Sequence, residues 1–195
     1  EVGLITEADI DESLKYVLRI RFRLGMFEDN YKELYKKYPV SLINSENHRS
    51  LAREAARKSI VLLENYKKTL PLDRDHIKSI FVTGPMAASI DSLIGNYFGI
   101  ADNYVTVLEG IAQSINERVR LSYSPISYPS GNWKSKPKGM LDGSNFADVT
   151  IGVFGLDVTL EGEEGEAFES NNGDRLSLCL PDVQIEAIKE IRQRT

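Results

Sequence analysis

The sequence predicts an α/β fold: a layered sandwich with a largely parallel sheet, preceded by a helix and a linker. Three observations predict it. Short β-branched runs alternate with amphipathic helical patterns over more than half of the 195 residues; such alternation gives strands joined by helical crossovers, and hence a largely parallel sheet. Capping signals mark where helices begin. Glycine and proline close the strand-like runs where loops must leave the sheet.

At the N-terminus, Thr6 is followed three residues later by Asp9, a variant of the capping box, and Ile10, Leu14, Val17, Leu18 and Phe22 fall on one helical face. Gly25 is placed to stop this helix. The stretch 26–47 is polar, aromatic and broken by Pro39, which reads as a linker with a short helical possibility at 31–37. A second helix is expected over 45–63, through the alanine-rich LAREAARKSIVLL, ending near Asn65. KSIFVTG at 78–84 is a β-branched run closing on Gly84 and Pro85. TVLEGIAQSINER at 106–118 opens with a Thr106–Glu109 capping box, and VRLSY at 119–123 is a short strand. A loop rich in turn residues follows at 127–139. ADVTIGVFGL at 147–156 is a strong strand, and Pro181 at the first helical position begins DVQIEAIKEIRQ.

Composition excludes several classes of function. The net charge of −5 comes without a basic block, so no electrostatic grip on nucleic acid is expected. The longest apolar runs, SIVLL and TIGVFGL, fall far short of the roughly 20 residues of a membrane span. The acidic N-terminal residues have no apolar core of a signal peptide. The single cysteine, Cys179, allows no internal disulfide and reads as a small buried apolar residue in LSLCLP. The glycines of GPMAASIDSLIGNYFG form neither a dinucleotide fingerprint nor a phosphate loop, and no cofactor is expected. His48 and His76 lack partners at metal-ligand spacing and read as ordinary, partly exposed residues. Tyr97, Phe98, Tyr128 and Trp133 sit in loop-like segments, where they either stack on a ligand or cover the edge of the core.

The sharpest feature is LEGEEGEAFESNNGDR at 160–175. Five of the nine positions from Glu161 to Glu169 are glutamate: Glu161, Glu163, Glu164, Glu166 and Glu169. In parallel sheets, working groups lie on loops leaving the carboxyl ends of strands, and this cluster follows the strand VTIGVFGL. Three readings stand side by side. It is a solvated acidic loop, a site for a hard cation, or a carboxyl group held for general acid/base work, where neighbouring negative charge favours the protonated form. The spacing does not match a calcium-binding loop of the helix–loop–helix type.

Taken in order, ITEADIDESLKYVLRIRFRLGMFED, HRSLAREAARKSIVLLEN with LPL, IFVTGPMA, IGNYFG, TVLEGI, ADVTIGVFGLDVTLEGEE and GDRLSLCLPDVQIEAI resemble the family 3 glycoside hydrolases, the β-glucosidase and β-xylosidase family. The shared order over nearly the whole chain makes the resemblance specific. The family's G-P-N-A appears as Gly84, Pro85, Met86, Ala87, a departure at one position.

The resemblance implies a retaining, exo-acting enzyme acting on terminal β-D-glucosyl or β-D-xylosyl residues of a β-linked oligosaccharide or aryl glycoside. It implies a (β/α)8-type barrel carrying an aspartate nucleophile and a sandwich that lends the acid/base glutamate. Residues 1–27 resemble the last barrel helix, 28–44 the linker, and 45–195 the sandwich, incomplete at its C-terminus. The N-terminal barrel of the same protein is then the partner. The family's T-x-E-x-E pattern matches Thr159, Glu161 and Glu163, so Glu161 is the first choice for the acid/base and Glu163 the second. Asp174 and Arg175 are implied to support the loop through an ion pair. The rival from another class is a non-catalytic carbohydrate-binding or interaction module whose acidic loop has no role in chemistry.

Overall fold

The computed structural model describes residues 3–28, 37–95, 99–125, 139–161 and 177–195. The chain divides into two units, Glu1–Leu63 and Glu64–Thr195.

Among the described residues, the first unit holds two α-helices, α1 (Glu7–Arg23) and α2 (Glu46–Ser59). At α1 the expected capping box is complete: Asp9 N–H donates to Thr6 Oγ1 (3.3 Å), and Thr6 N–H donates back to Asp9 Oδ2 (2.8 Å). Hydrogen bonds from the Thr6 hydroxyl (2.6 Å) and then from the Thr6 N–H hold the Asp9 carboxyl below its ordinary pKa. Gly25, at φ +68°, ends the helix. Met26 N–H reaches Arg21 O and Gly25 N–H reaches Phe22 O, the paired pattern of a left-handed C-terminal cap that glycine makes at no steric cost. Neither helix buries a residue, and the apolar side chains Ile10, Leu14, Val17 and Phe22 of α1 are all exposed.

Helix α2 stops at Ser59, short of the expected Leu63. Ile60 takes extended backbone, φ −70° and ψ 126°, and residues 60–65 lie in no helix. Ile60 and Val61 are β-branched and stiff at χ1, and four apolar residues in a row spread around a helix rather than forming one stripe.

In the second unit a three-stranded parallel sheet runs in the order β2 (Arg120–Ser124), β1 (Ser79–Thr83), β3 (Val149–Gly152). Ile80 pairs with Leu121 on one side and Val149 on the other. All five residues of β1 are buried, and alternation sends their side chains to two cores. Two single turns, α3 (Asp91–Ile94) and α5 (Val158–Glu161), accompany two longer helices, α4 (Val107–Ser114) and α6 (Asp182–Arg194). Ile80 and Val82 pack with Leu121 of β2 and with Leu108 and Ile111 of α4. Phe81 packs on the opposite face with Leu141 and with Ala187 and Ile191 of α6. With helices on both faces of a parallel sheet, the second unit is an α/β sandwich, as the sequence predicts.

Several boundaries move for identifiable reasons. α4 ends at Ser114 because Asn116 turns the chain, its side chain accepting from Arg118 N–H at 2.9 Å. Only 149–152 of the run 147–156 pair as strand, since Gly155 is engaged by a side chain instead of a neighbouring strand. Pro181 is the extended residue before α6, at φ −53° and ψ 142°, not its first helical residue. Cys179 is exposed, which corrects the buried reading: residues 177–180 join no strand, so the apolar alternation there has no sheet face to bury it.

Candidate active site

The chain leaves β1 toward α4 on one face and leaves the adjacent β3 toward α6 on the other. The carboxyl ends of β1 and β3 therefore flank a topological switch point, where open parallel sheets form a crevice. At β1 the exit is made by Gly84, at φ +105°. A Cβ there would stand 2.1 Å from Val153 O, so only glycine lets the two exits lie this close. Val153 N–H donates to Thr83 O (2.8 Å), Met86 N–H donates to Val153 O (3.3 Å), and Met86 and Ala87 are buried beneath the turn. Thr83 Oγ1 donates to Ser124 O at 2.8 Å and draws in the end of β2.

The β3 exit carries the first candidate. Asp157, 8% exposed, accepts from Thr159 N–H (3.0 Å) and Thr159 Oγ1 (2.6 Å), so its carboxylate caps the short turn α5. Glu161 N–H donates to Asp157 O at 3.0 Å, and the preceding Leu160 is fully buried. The turn is thus anchored by a buried leucine and a buried cap while the Glu161 side chain is exposed. An exposed carboxyl on an anchored base can exchange protons with a group brought against it.

Behind this turn stands a residue that sequence reasoning missed. Gln184, in the first turn of α6 and fully buried, donates from Nε2 to Gly155 O (2.8 Å) and accepts at Oε1 from Gly155 N–H (3.0 Å). One amide side chain satisfies both backbone groups of one loop residue. Asn65 does the same around a tight turn, donating to Leu70 O (2.8 Å) and accepting from Leu70 N–H (2.9 Å). Asp157 was missed as well, although an aspartate at a strand exit, two residues before a threonine, is a helix-cap signal. Gln184 carried no local signal, since a glutamine on a helix ordinarily faces water.

Glu163, Glu164, Glu166, Glu169, Asp174 and Arg175 lie outside the described residues, as do Tyr97, Phe98, Tyr128 and Trp133. Both histidines are exposed. His76 Nδ1 lies 2.8 Å from Asp73 Oδ2, and hydrogen bonds from His76 and from the Asp75 N–H hold the Asp73 carboxyl below its ordinary pKa. Among the described residues no cluster of three metal-ligating side chains occurs, and no helix is long and apolar enough to cross a membrane.

A parallel sheet with helices on both faces and a carboxylate-bearing turn at its switch point defines a broad class of α/β domains, and comparison with known proteins narrows it. The model of the glycosyl hydrolase family 3 C-terminal domain matches residues 60–195. This chain belongs to glycosyl hydrolase family 3. Beta-D-xylosidase 3 of Arabidopsis thaliana is 31% identical over 192 residues, which cover 98% of this chain and 23% of that protein. The periplasmic beta-glucosidase of Salmonella typhimurium is 34% identical over 157 residues, covering 77% of this chain and 20% of that protein. Among solved structures, a GH3 exo-beta-xylosidase in complex with a xylobiose aziridine activity-based probe matches with a TM-score of 0.73 and 26% identity, over 98% of this chain and 23% of that one. The chain thus spans less than a quarter of the length of these relatives.

Proposed function

We propose that this chain is part of a retaining, exo-acting β-glycosidase that removes terminal β-D-glucosyl or β-D-xylosyl residues, and that it supplies the general acid/base. Glu161 is the first candidate for that role and Glu163 the second. The observation that carries the reading is the exposed Glu161 carboxyl on an anchored turn beyond β3, at the switch point of a family 3 C-terminal domain. The names of the relatives, xylosidases and glucosidases, support the substrate class of β-linked oligosaccharides and aryl glycosides.

In this reading residues 1–27 are the last helix of a barrel domain, 28–44 the linker and 45–195 the sandwich. A barrel carboxylate of the same protein attacks the anomeric carbon while the glutamate protonates the departing oxygen; the glutamate then takes a proton from the water that releases the sugar. The two carboxyl groups of a retaining enzyme stand about 5 to 5.5 Å apart, so the loop must reach the barrel's sugar site. Asp174 and Arg175 hold the loop through an ion pair. No cofactor takes part.

The test is made in the full-length enzyme. Glu161→Ala is expected to lower kcat/KM for substrates with poor leaving groups far more than for activated aryl glycosides, and azide should restore turnover of the activated substrate. If Glu163→Ala shows this signature and Glu161→Ala does not, the role passes to Glu163. If no glutamate from 161 to 169 shows it, the loop does not carry the acid/base.

A further inference from the structure

We infer that Gln184 is a positioning residue for the acid/base step: its buried amide, paired with both backbone groups of Gly155, sets where the acidic loop leaves the sheet. The inference rests on the assignment of the acid/base to this loop.

The geometry is specific. Gly155 and Gln184 are separated by 29 residues, and the loop that begins at α5 lies between them. Their two hydrogen bonds, 2.8 and 3.0 Å, close the base of that excursion from inside the protein. Gly155 lies two residues before Asp157, the cap of the turn on which Glu161 sits. From the buried amide the connection runs through Gly155 and Asp157 to Glu161 within seven residues of chain. The amide is itself fixed: Gln184 is fully buried, and its own N–H donates to Pro181 O at 2.9 Å at the start of α6. β1, the described strand beside β3, pairs with it only as far as Gly152 and not with Gly155, so the side chain stands in for a strand edge. Without it, two backbone polar groups near the core lose their partners and the loop base must find another position. A shift of about 1 Å in a catalytic group costs on the order of 10²-fold in rate.

Two variants separate positioning from folding. Gln184→Met keeps the length of the side chain and removes both hydrogen bonds. Gln184→Glu keeps the shape: when protonated, its O–H donates to Gly155 O and its carbonyl accepts from Gly155 N–H, whereas the ionised form turns a bare carboxylate oxygen toward Gly155 O. The measurement, in the full-length enzyme, is the ratio of kcat/KM for an alkyl or unsubstituted phenyl β-glycoside to that for a dinitrophenyl β-glycoside. This ratio does not depend on the fraction of enzyme folded. For Gln184→Met the ratio is expected to fall by about tenfold or more at every pH. For Gln184→Glu it should approach that of the unaltered enzyme at low pH and fall as pH rises, through an ionisation that the unaltered enzyme lacks.

If the ratio is the same in Gln184→Glu on both sides of its added ionisation, located from the pH dependence of the variant's melting temperature, or is unchanged in folded Gln184→Met, the inference is overturned. A parallel Glu161→Ala and Glu163→Ala series keeps the two readings apart. If either of those lowers the ratio and the Gln184 variants do not, the positioning role fails while the acid/base assignment stands. If none of them lowers it, both fall.

Discussion

Asp148, just before β3, and Ser79, the first residue of β1, are joined by a reciprocal set of hydrogen bonds. The Asp148 carboxylate accepts from Ser79 N–H (2.8 Å) and Ser79 Oγ (3.0 Å), and Asp148 N–H donates to Ser79 O (3.1 Å). Lys78 N–H adds a further bond to the same carboxylate oxygen at 2.8 Å. These bonds, that from Lys78 first, hold the Asp148 carboxyl below its ordinary pKa. A depressed carboxyl contributes stability that is present above its unfolded pKa and is lost as pH falls through the folded one. Asp148→Ala is therefore expected to melt at lower temperature than the unaltered protein near neutral pH. The gap should narrow as pH falls below about 4, in thermal melts run from neutral pH downward.

Gly84→Ala places a methyl group against Val153 O, at an ideal distance of 2.1 Å, on backbone at φ +105°. The obstacle is backbone of an adjacent strand exit, which cannot swing aside as a side chain would. Destabilisation of about 3 kcal/mol or more is expected, read as a lower denaturant midpoint.

Phe81 fills the core beneath α6, and it is why Gly143 must be glycine, since a Cβ there would meet the ring at 2.4 Å. Phe81→Ala should cost about 3–5 kcal/mol. Gly143→Ala should also destabilise, by crowding rather than by a cavity. In the double variant the added methyl partly fills the space left by the ring, so the two effects should sum to less than their separate values in a double-mutant cycle.

Purified alone, the 195-residue chain is expected to show no hydrolysis of aryl β-glucosides or β-xylosides, because the proposed reaction needs a nucleophile from a barrel domain. Chromogenic assays over a range of protein concentrations check this. Turnover that disappears in Glu161→Ala would overturn it. In the full-length enzyme, loss of the general acid should cost about 10² to 10⁴-fold with poor leaving groups.

The features legible in the string of residues are those whose partners lie within a few positions of one another. The capping boxes at Thr6–Asp9 and Thr106–Glu109, the glycine stop at Gly25 and the β-branched run of β1 are each complete within a few neighbours, so their physics is visible in the string. The order of motifs likewise carried the family. Tertiary structure decided what depends on partners far away in sequence. It set the strand order β2-β1-β3 and the exposure of Cys179. It also turned Gln184 inward to Gly155, 29 residues back. A glutamine on a helix is equally at home in water, and only the packing of α6 against the sheet brings the part-buried backbone of Gly155 to its amide as a partner.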